Sequence, residues 1–174
     1  MTVGASIEAR IRFSDTKASP FVGVSAQYSY MIEVMNILTN GSLAGQVDTV
    51  YPIEVTMTTG QVVTLDLNGT TKDIYNRNVV LSRLASVLVV NKNSAGVVNT
   101  TTIQVGGGAN EMTGLFQSAT QKSGPIPPGG FWWMDGSAAL AGLGIVVAGT
   151  GDTLTLTNAA GATNTCTVLV MGVS

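Results

Sequence analysis

Histidine is absent from all 174 residues and cysteine occurs once, at Cys166. Without histidine, Ser-His-Asp and Cys-His catalysis have no general base, and both classes are excluded. One cysteine permits no intrachain disulfide, so oxidation does not staple the fold. Cys166 lies in an alternating run and reads as a small core residue. Charge is scarce too. Only 10% of residues are Asp, Glu, Lys or Arg, against roughly 25% in typical soluble chains. Eight basic residues stand against ten acidic ones, and no basic cluster forms. A nucleic-acid binder that tracks phosphates needs such a cluster. No run of about 18 apolar residues occurs, so no membrane span is expected. The stretch Ala138 to Ala148 is apolar but too short. The first ten residues lack the charged segment and long apolar run of a secretory leader. The expectation is a chain made in a cytoplasm and used there, or released with a particle.

What fills the space left by charge is threonine, glycine, asparagine and serine; threonine alone occurs 22 times. A surface of hydroxyls and small side chains has few charges to hold copies apart. It also desolvates more cheaply than one built of unpaired lysines. This composition fits a chain that lives in an assembly. The alternative is a weakly charged secreted β-domain.

The length suits one domain over residues 1–174. Ser6 to Phe13 alternates, with Ile7, Ala9, Ile11 and Phe13 on one face and Glu8, Arg10 and Arg12 on the other. That is the pattern of a half-buried strand. Asp15 to Pro20 reads as a turn. Val22 to Leu38 reads as a long strand, bent near Glu33, from its aromatic and β-branched content; a helix would also gather Met31, Val34, Met35 and Leu38. Val47 to Met57 reads as a strand with Val47, Thr49, Tyr51, Ile53, Val55 and Met57 on one side. Pro52 places that strand at an edge. Gln61 to Leu67 reads as its hairpin partner across Thr58 to Gln61. Asn68-Gly69 is a turn signal. Thr71 to Asn78 reads as a short helix or an irregular crossing. Val79 to Asn91 is the longest apolar run and reads as a central strand buried on both faces. Strands follow at Asn99 to Val105, Asp152 to Asn158 and Asn164 to Val173. Eight to ten short strands, with at most one short helix, predict an all-β, jelly-roll-like sandwich. Met1 to Ser6, small and uncharged, reads as a flexible N-terminal arm that orders on assembly.

Few motifs suggest chemistry. Gly106-Gly107-Gly108 lacks the downstream lysine of a phosphate loop and reads as a turn or bulge. Gly149-Thr150-Gly151-Asp152 offers one carboxylate where calcium needs six to eight oxygens, so it reads as a hairpin turn. No catalytic residue, metal ligand or cofactor-binding residue is assigned. The remaining candidate is Phe131-Trp132-Trp133-Met134. Neighbours in a strand point to opposite faces, so Trp132 and Trp133 cannot share one core. Three uses are open for the outward tryptophan: a subunit contact, cover by a loop of the same chain, and a sugar platform. Phe131, Trp132, Trp133 and Met134 are taken as the candidate subunit interface. Trp133→Ala is expected to weaken assembly more than Glu111→Ala.

An ordered series of motifs carries a resemblance. It runs through Gly45-Gln46-Val47-Asp48, Leu65-Asp66-Leu67-Asn68-Gly69, Val105 to Asn110, Thr113-Gly114-Leu115-Phe116, Pro127-Pro128-Gly129-Gly130, Ala148 to Leu154 and Val168 to Ser174. Over Gln46 to Ser174 the chain resembles small structural proteins of tailed-bacteriophage virions. It departs from them at Phe131-Trp132-Trp133, where aliphatic residues are more usual. The resemblance implies a virion component, a head decoration (cement) protein above all. Its expected partners are further copies of itself, a trimer first, and the major capsid protein. A tail or connector component and a carbohydrate-binding module are the other readings.

Overall fold

The computed structural model describes residues 5–18, 25–112, 114–116, 118 and 120–174, and for much of 5–36 the backbone alone. Every regular element among these residues is a strand. β4 (Thr49–Met57), β8 (Arg83–Val90), β10 (Phe131–Asp135) and β13 (Asn164–Val173) make one antiparallel sheet in the order β10-β8-β13-β4. β5 (Val62–Asp66), β9 (Ile103–Val105) and β12 (Thr153–Asn158) make a second, in the order β5-β12-β9. Segment 122–126 runs antiparallel beside β9, bridging Gly106 to Lys122 and Ile103 to Ile126. It completes a four-strand layer. The chain thus crosses between the layers at nearly every connection, which is the jelly-roll order of two interleaved Greek keys.

Alternation explains the core. Tyr51, Ile53, Val55 and Met57 on β4, Val87 and Val89 on β8, and Cys166, Val168 and Val170 on β13 face Leu65, Leu154, Leu156, Ile103 and Val105 of the other layer. All are buried. Burial pushes the Cys166 thiol up to about 12, so it stays protonated in the native state. Pro52 lies on the edge strand β4, where its missing N–H costs no ladder bond.

Several sequence expectations are corrected. β4 and β5 are not hairpin partners: β4 pairs with β13, and β5 pairs with β12. The turn chemistry is real, with Gln61 Oε1 accepting from the Thr58 N–H at 2.8 Å, but the corner carries the chain from one layer to the other. Asn68-Gly69 is not a turn. It opens β6 (Asn68–Lys72), and the chain bends at Leu67, where Asp66 accepts from the amides of Asn68 and Thr70 and the Thr70 hydroxyl. Thr71 to Asn78 holds no helix. It is the end of β6, a tight turn and the start of β7 (Asn78–Val80). Asp73 organises that turn, accepting from the Tyr75 and Arg77 amides and pairing with the Arg77 guanidinium at 2.6 Å. The run Val79 to Asn91 is two strands, broken at Leu81 and Ser82. Asn99 to Val105 shortens to β9. The residues before it are held by side chains instead of a ladder.

Those side chains form a buried asparagine network at one end of the sandwich. Asn91, Asn158 and Asn164 are at most 1% exposed. Asn158 Nδ2 donates to the carbonyls of Met57, Thr58 and Ala162, and its Oδ1 accepts from Asn164 and from the Thr101 hydroxyl. Asn91 donates to the carbonyls of Thr101 and Ile126. The network joins β4, β8, β12, β13 and both loop segments without an ionised group.

A long hairpin belongs to a separate, three-stranded sheet. β1 (Ala5–Ala18) pairs antiparallel with β2 (Ser25–Asn40) along its whole length, from Ala5 opposite Leu38 to Ala18 opposite Ser25. The expected turn at Asp15 to Pro20 is therefore strand as far as Ala18. The helical alternative for Val22 to Leu38 is replaced by strand from Ser25 onward; residues 22–24 lie outside the described residues. Of the expected arm, Ala5 and Ser6 belong to β1 and Met1 to Gly4 lie outside the described residues. β2 ends in a short parallel pairing with β3 (Gln46–Val47).

Two outcomes test these assignments. Asn158→Ala strands several buried carbonyls and lowers unfolding free energy by about 2 kcal/mol in urea titrations; a loss under about 0.5 kcal/mol contradicts the network's role. Burial alone would raise the Asp66 and Asp73 carboxyls, but the hydrogen bonds they accept outweigh it and both lie below the ordinary range. Their stabilisation is complete above an aspartate's usual value of about 3.9 and is lost as pH falls through the lower native values. Asp73→Asn accordingly flattens the acid limb of the stability–pH curve below about pH 4.

Candidate functional site

β10 is short, and its register on β8 fixes where its side chains go. Phe131 lies opposite Val90, Trp132 opposite Val89, Trp133 opposite Leu88 and Met134 opposite Val87. Val87 and Val89 belong to the core, so Trp132 and Met134 face inward and pack against it. The Trp132 ring stacks on Phe116, centroids 6.0 Å apart and planes 6° from parallel. Phe116 is presented by the turn after Met112, where the Leu115 and Phe116 amides both donate to the Met112 carbonyl. The four-residue candidate interface is thereby split. Trp132 and Met134 serve the fold, and Phe131 and Trp133 face out.

The outward face is built in rows. Trp133 is in register with Leu88, Leu88 with Leu169, and Leu169 with Pro52. All four are half-buried. The next row is Phe131, Val90, Thr167 and Glu54, in which Phe131 is 66% exposed. On the other side, Ser86, Met171 and Val50 form a row whose end is closed by the chain itself. There Leu38 and Val47 pack with Ala85 and Met171 as a second buried cluster, with Val50, Trp133 and Leu169 against it. Contrary to the expectation, Val47 does not share a face with Tyr51 and Ile53; the chain steps between β3 and β4 at Asp48.

Irregularity at this end permits that second cluster. Met171 is opposite Ser86 while Gly172 is opposite Leu84, so Ala85 is an extra residue on β8. The bulge lets Leu84 enter the main core and Ala85 the outer cluster. Gly172 is required there, because a Cβ would lie 2.1 Å from the Arg83 carbonyl oxygen. Arg83 in turn is 8% exposed and donates to the carbonyls of Ser42, Leu43, Gln46 and Ala139. It pins the base of the β1–β2 hairpin to β8.

Trp133 donates its indole N–H to the Ser86 hydroxyl at 3.1 Å, and Ser86 donates to the Met134 carbonyl. The polar edge of the ring is thus engaged within the fold, and Leu88 and Leu169 flank it. A sugar platform needs hydrogen-bonding groups converging around the ring; the ring's own row is Leu88, Leu169 and Pro52, while Thr167 and Glu54 stand in the row on one side and Asp135 and Ser86 in the row on the other. Among the described residues no three Cys, Asp or Glu side chains gather into a metal-binding group. Glu111, the comparison residue for Trp133, is buried, and its Oε1 accepts from the amides of Gly108 and Thr155. Replacing it perturbs the fold, so exposed Lys72 is the better control. The row structure was not read from sequence. Its signal is present, since Leu88, Leu169 and Val90 lie at alternate positions to the core valines.

No family model, curated protein or solved structure matches this chain.

The split of the two tryptophans sets opposite outcomes. Trp132→Ala removes core packing and lowers monomer stability by about 3 kcal/mol. Trp133→Ala has about half that effect on the dilute monomer, but larger consequences for association. Equal effects on both quantities contradict the assignment.

Proposed function

We propose that the chain is a non-enzymatic structural protein of a bacteriophage virion, acting as a capsid decoration (cement) protein. In this reading it assembles in the host cytoplasm and sits on the capsid surface as a homo-oligomer, a trimer first, bridging neighbouring copies of the major capsid protein. The observation that carries the reading is the apolar outer face of sheet β10-β8-β13-β4. Phe131, Trp133, Leu88, Val90, Leu169 and Pro52 form a contiguous patch in a chain with only 10% charge. Contiguous apolar surface rimmed by polar residues is characteristic of a contact face. The ordered motif series from Gln46 to Ser174 directs this assembly reading to a virion. Cement proteins hold a shell through many modest contacts whose sum is strong, and a low-charge, hydroxyl-rich surface suits that work. No cofactor, nucleic acid or membrane enters the reading.

The test is the copy number of this protein in purified particles, by quantitative mass spectrometry against the major capsid protein. Decoration predicts a count comparable to the capsid protein. A count of a few to some dozens assigns it to the tail or connector instead, and absence from the particle refutes the virion role.

A further inference from the structure

The β1–β2 hairpin and the open sheet face complement each other. The register pairs Ile7 with Asn36, Ala9 with Val34, Ile11 with Ile32 and Phe13 with Tyr30, and on the same side toward the tip Asp15 with Tyr28 and Lys17 with Ala26. Paired residues of an antiparallel ribbon share a face, so these positions make one side predominantly apolar. The other side carries Ser6/Ile37, Glu8/Met35, Arg10/Glu33, Arg12/Met31, Ser14/Ser29 and Thr16/Gln27. Where side chains of that second side are described, they meet solvent: Glu8 is exposed, Met35 is 55% and Ile37 67% exposed. The apolar side has the parity of Leu38, which is 2% exposed and packed in the outer cluster beside Trp133 and Leu169. One end of the apolar side is therefore already seated at the margin of the open patch.

Length argues for what the rest of it covers. Fourteen paired residues extend about 45 Å, whereas the sheet spans about 15 Å between outer strands and about 33 Å along the ten residues of β13, its longest strand. The ribbon is too long to be used up on its own sandwich. A two-stranded ribbon is also marginal in water without a third strand or a packed face. Meanwhile Phe131 is exposed and the Trp133–Leu88–Leu169–Pro52 row is only half-buried on the chain that carries the ribbon.

We propose that the apolar side of the β1–β2 ribbon covers the open face of sheet β10-β8-β13-β4 on a second copy of this chain. The exchange rests on the assembly reading above and names the occupant of its contact face. Each copy gives a ribbon and receives one, so head-to-tail exchange around a rotation axis closes into a ring. Arg83, by pinning 42–46, sets the angle at which the ribbon leaves the body and acts as a positioning residue.

Cross-linking between two differently tagged copies tests this. One copy carries Ile11→Cys or Phe13→Cys, the other Phe131→Cys; native Cys166 is buried and does not compete. The expected result is an oxidation-dependent link between the two tags from at least one ribbon position, and at least fivefold less from Thr16→Cys on the opposite side. A link formed only within one chain of a doubly substituted protein overturns the exchange, and so does no link from either position. As a second readout, Ile11→Arg reduces the native mass to that of a monomer while the far-ultraviolet β signal persists; an unchanged oligomer also overturns it. Wild-type protein that exchanges ribbons but is absent from phage particles refutes the virion role alone. Presence in particles without ribbon exchange refutes this inference alone.

Discussion

Sheet β10-β8-β13-β4 carries apolar side chains on both faces, and one sandwich covers only one of them. The inner face is closed by β5, β12 and β9. On the outer face the chain supplies Leu38 and Val47, enough for one row. The rows of Trp133 and Phe131 remain. Exposed apolar area on this scale is costly in water at roughly 25 cal/mol per Å², and the sequence has few charges with which to offset it. The long hairpin and the low charge stand beside that one imbalance, and the proposed self-association would answer it.

The rest of the molecule holds this face in place. The asparagine network fixes the crossings at one end of the sandwich with neutral hydrogen bonds, avoiding the desolvation of buried charge. At the other end the Ala85 bulge and Gly172 turn β8 so that Arg83 reaches the carbonyls of the loop after β2. That contact makes the hairpin a fixed projection of the body at its base. Trp132, half-buried, packs against the main core. Stacked on Phe116, it anchors β10, and β10 presents its neighbours.

Much of this was legible in the residues. Alternation named Tyr51, Ile53, Val55, Met57 and Cys166 as core positions, though it wrongly placed Val47 with them, and Pro52 named an edge. The argument that adjacent tryptophans must part followed from the two-residue period of a strand. Pairing was not legible. Thr58 to Gln61 and Asn68-Gly69 carry hairpin chemistry, yet a jelly roll uses corners of the same local kind to change layers, and Asp66 supplies a side-chain turn that no propensity reveals. Thr71 to Asn78 read as a short helix or an irregular crossing; the second is nearer, because Asp73 centres a tight turn there between β6 and β7. The outer rows escaped notice because they depend on three inter-strand registers at once. The proposed virion role rests on motif order, a different kind of argument from packing.

The account stands or falls on whether the outer face is covered by association. Sedimentation equilibrium of the purified protein across a hundredfold range of concentration measures this directly. The account predicts a single closed oligomer, a trimer first, whose mass does not grow further as concentration rises. A monomer at every concentration, with Phe131 and Trp133 left in water, would contradict it.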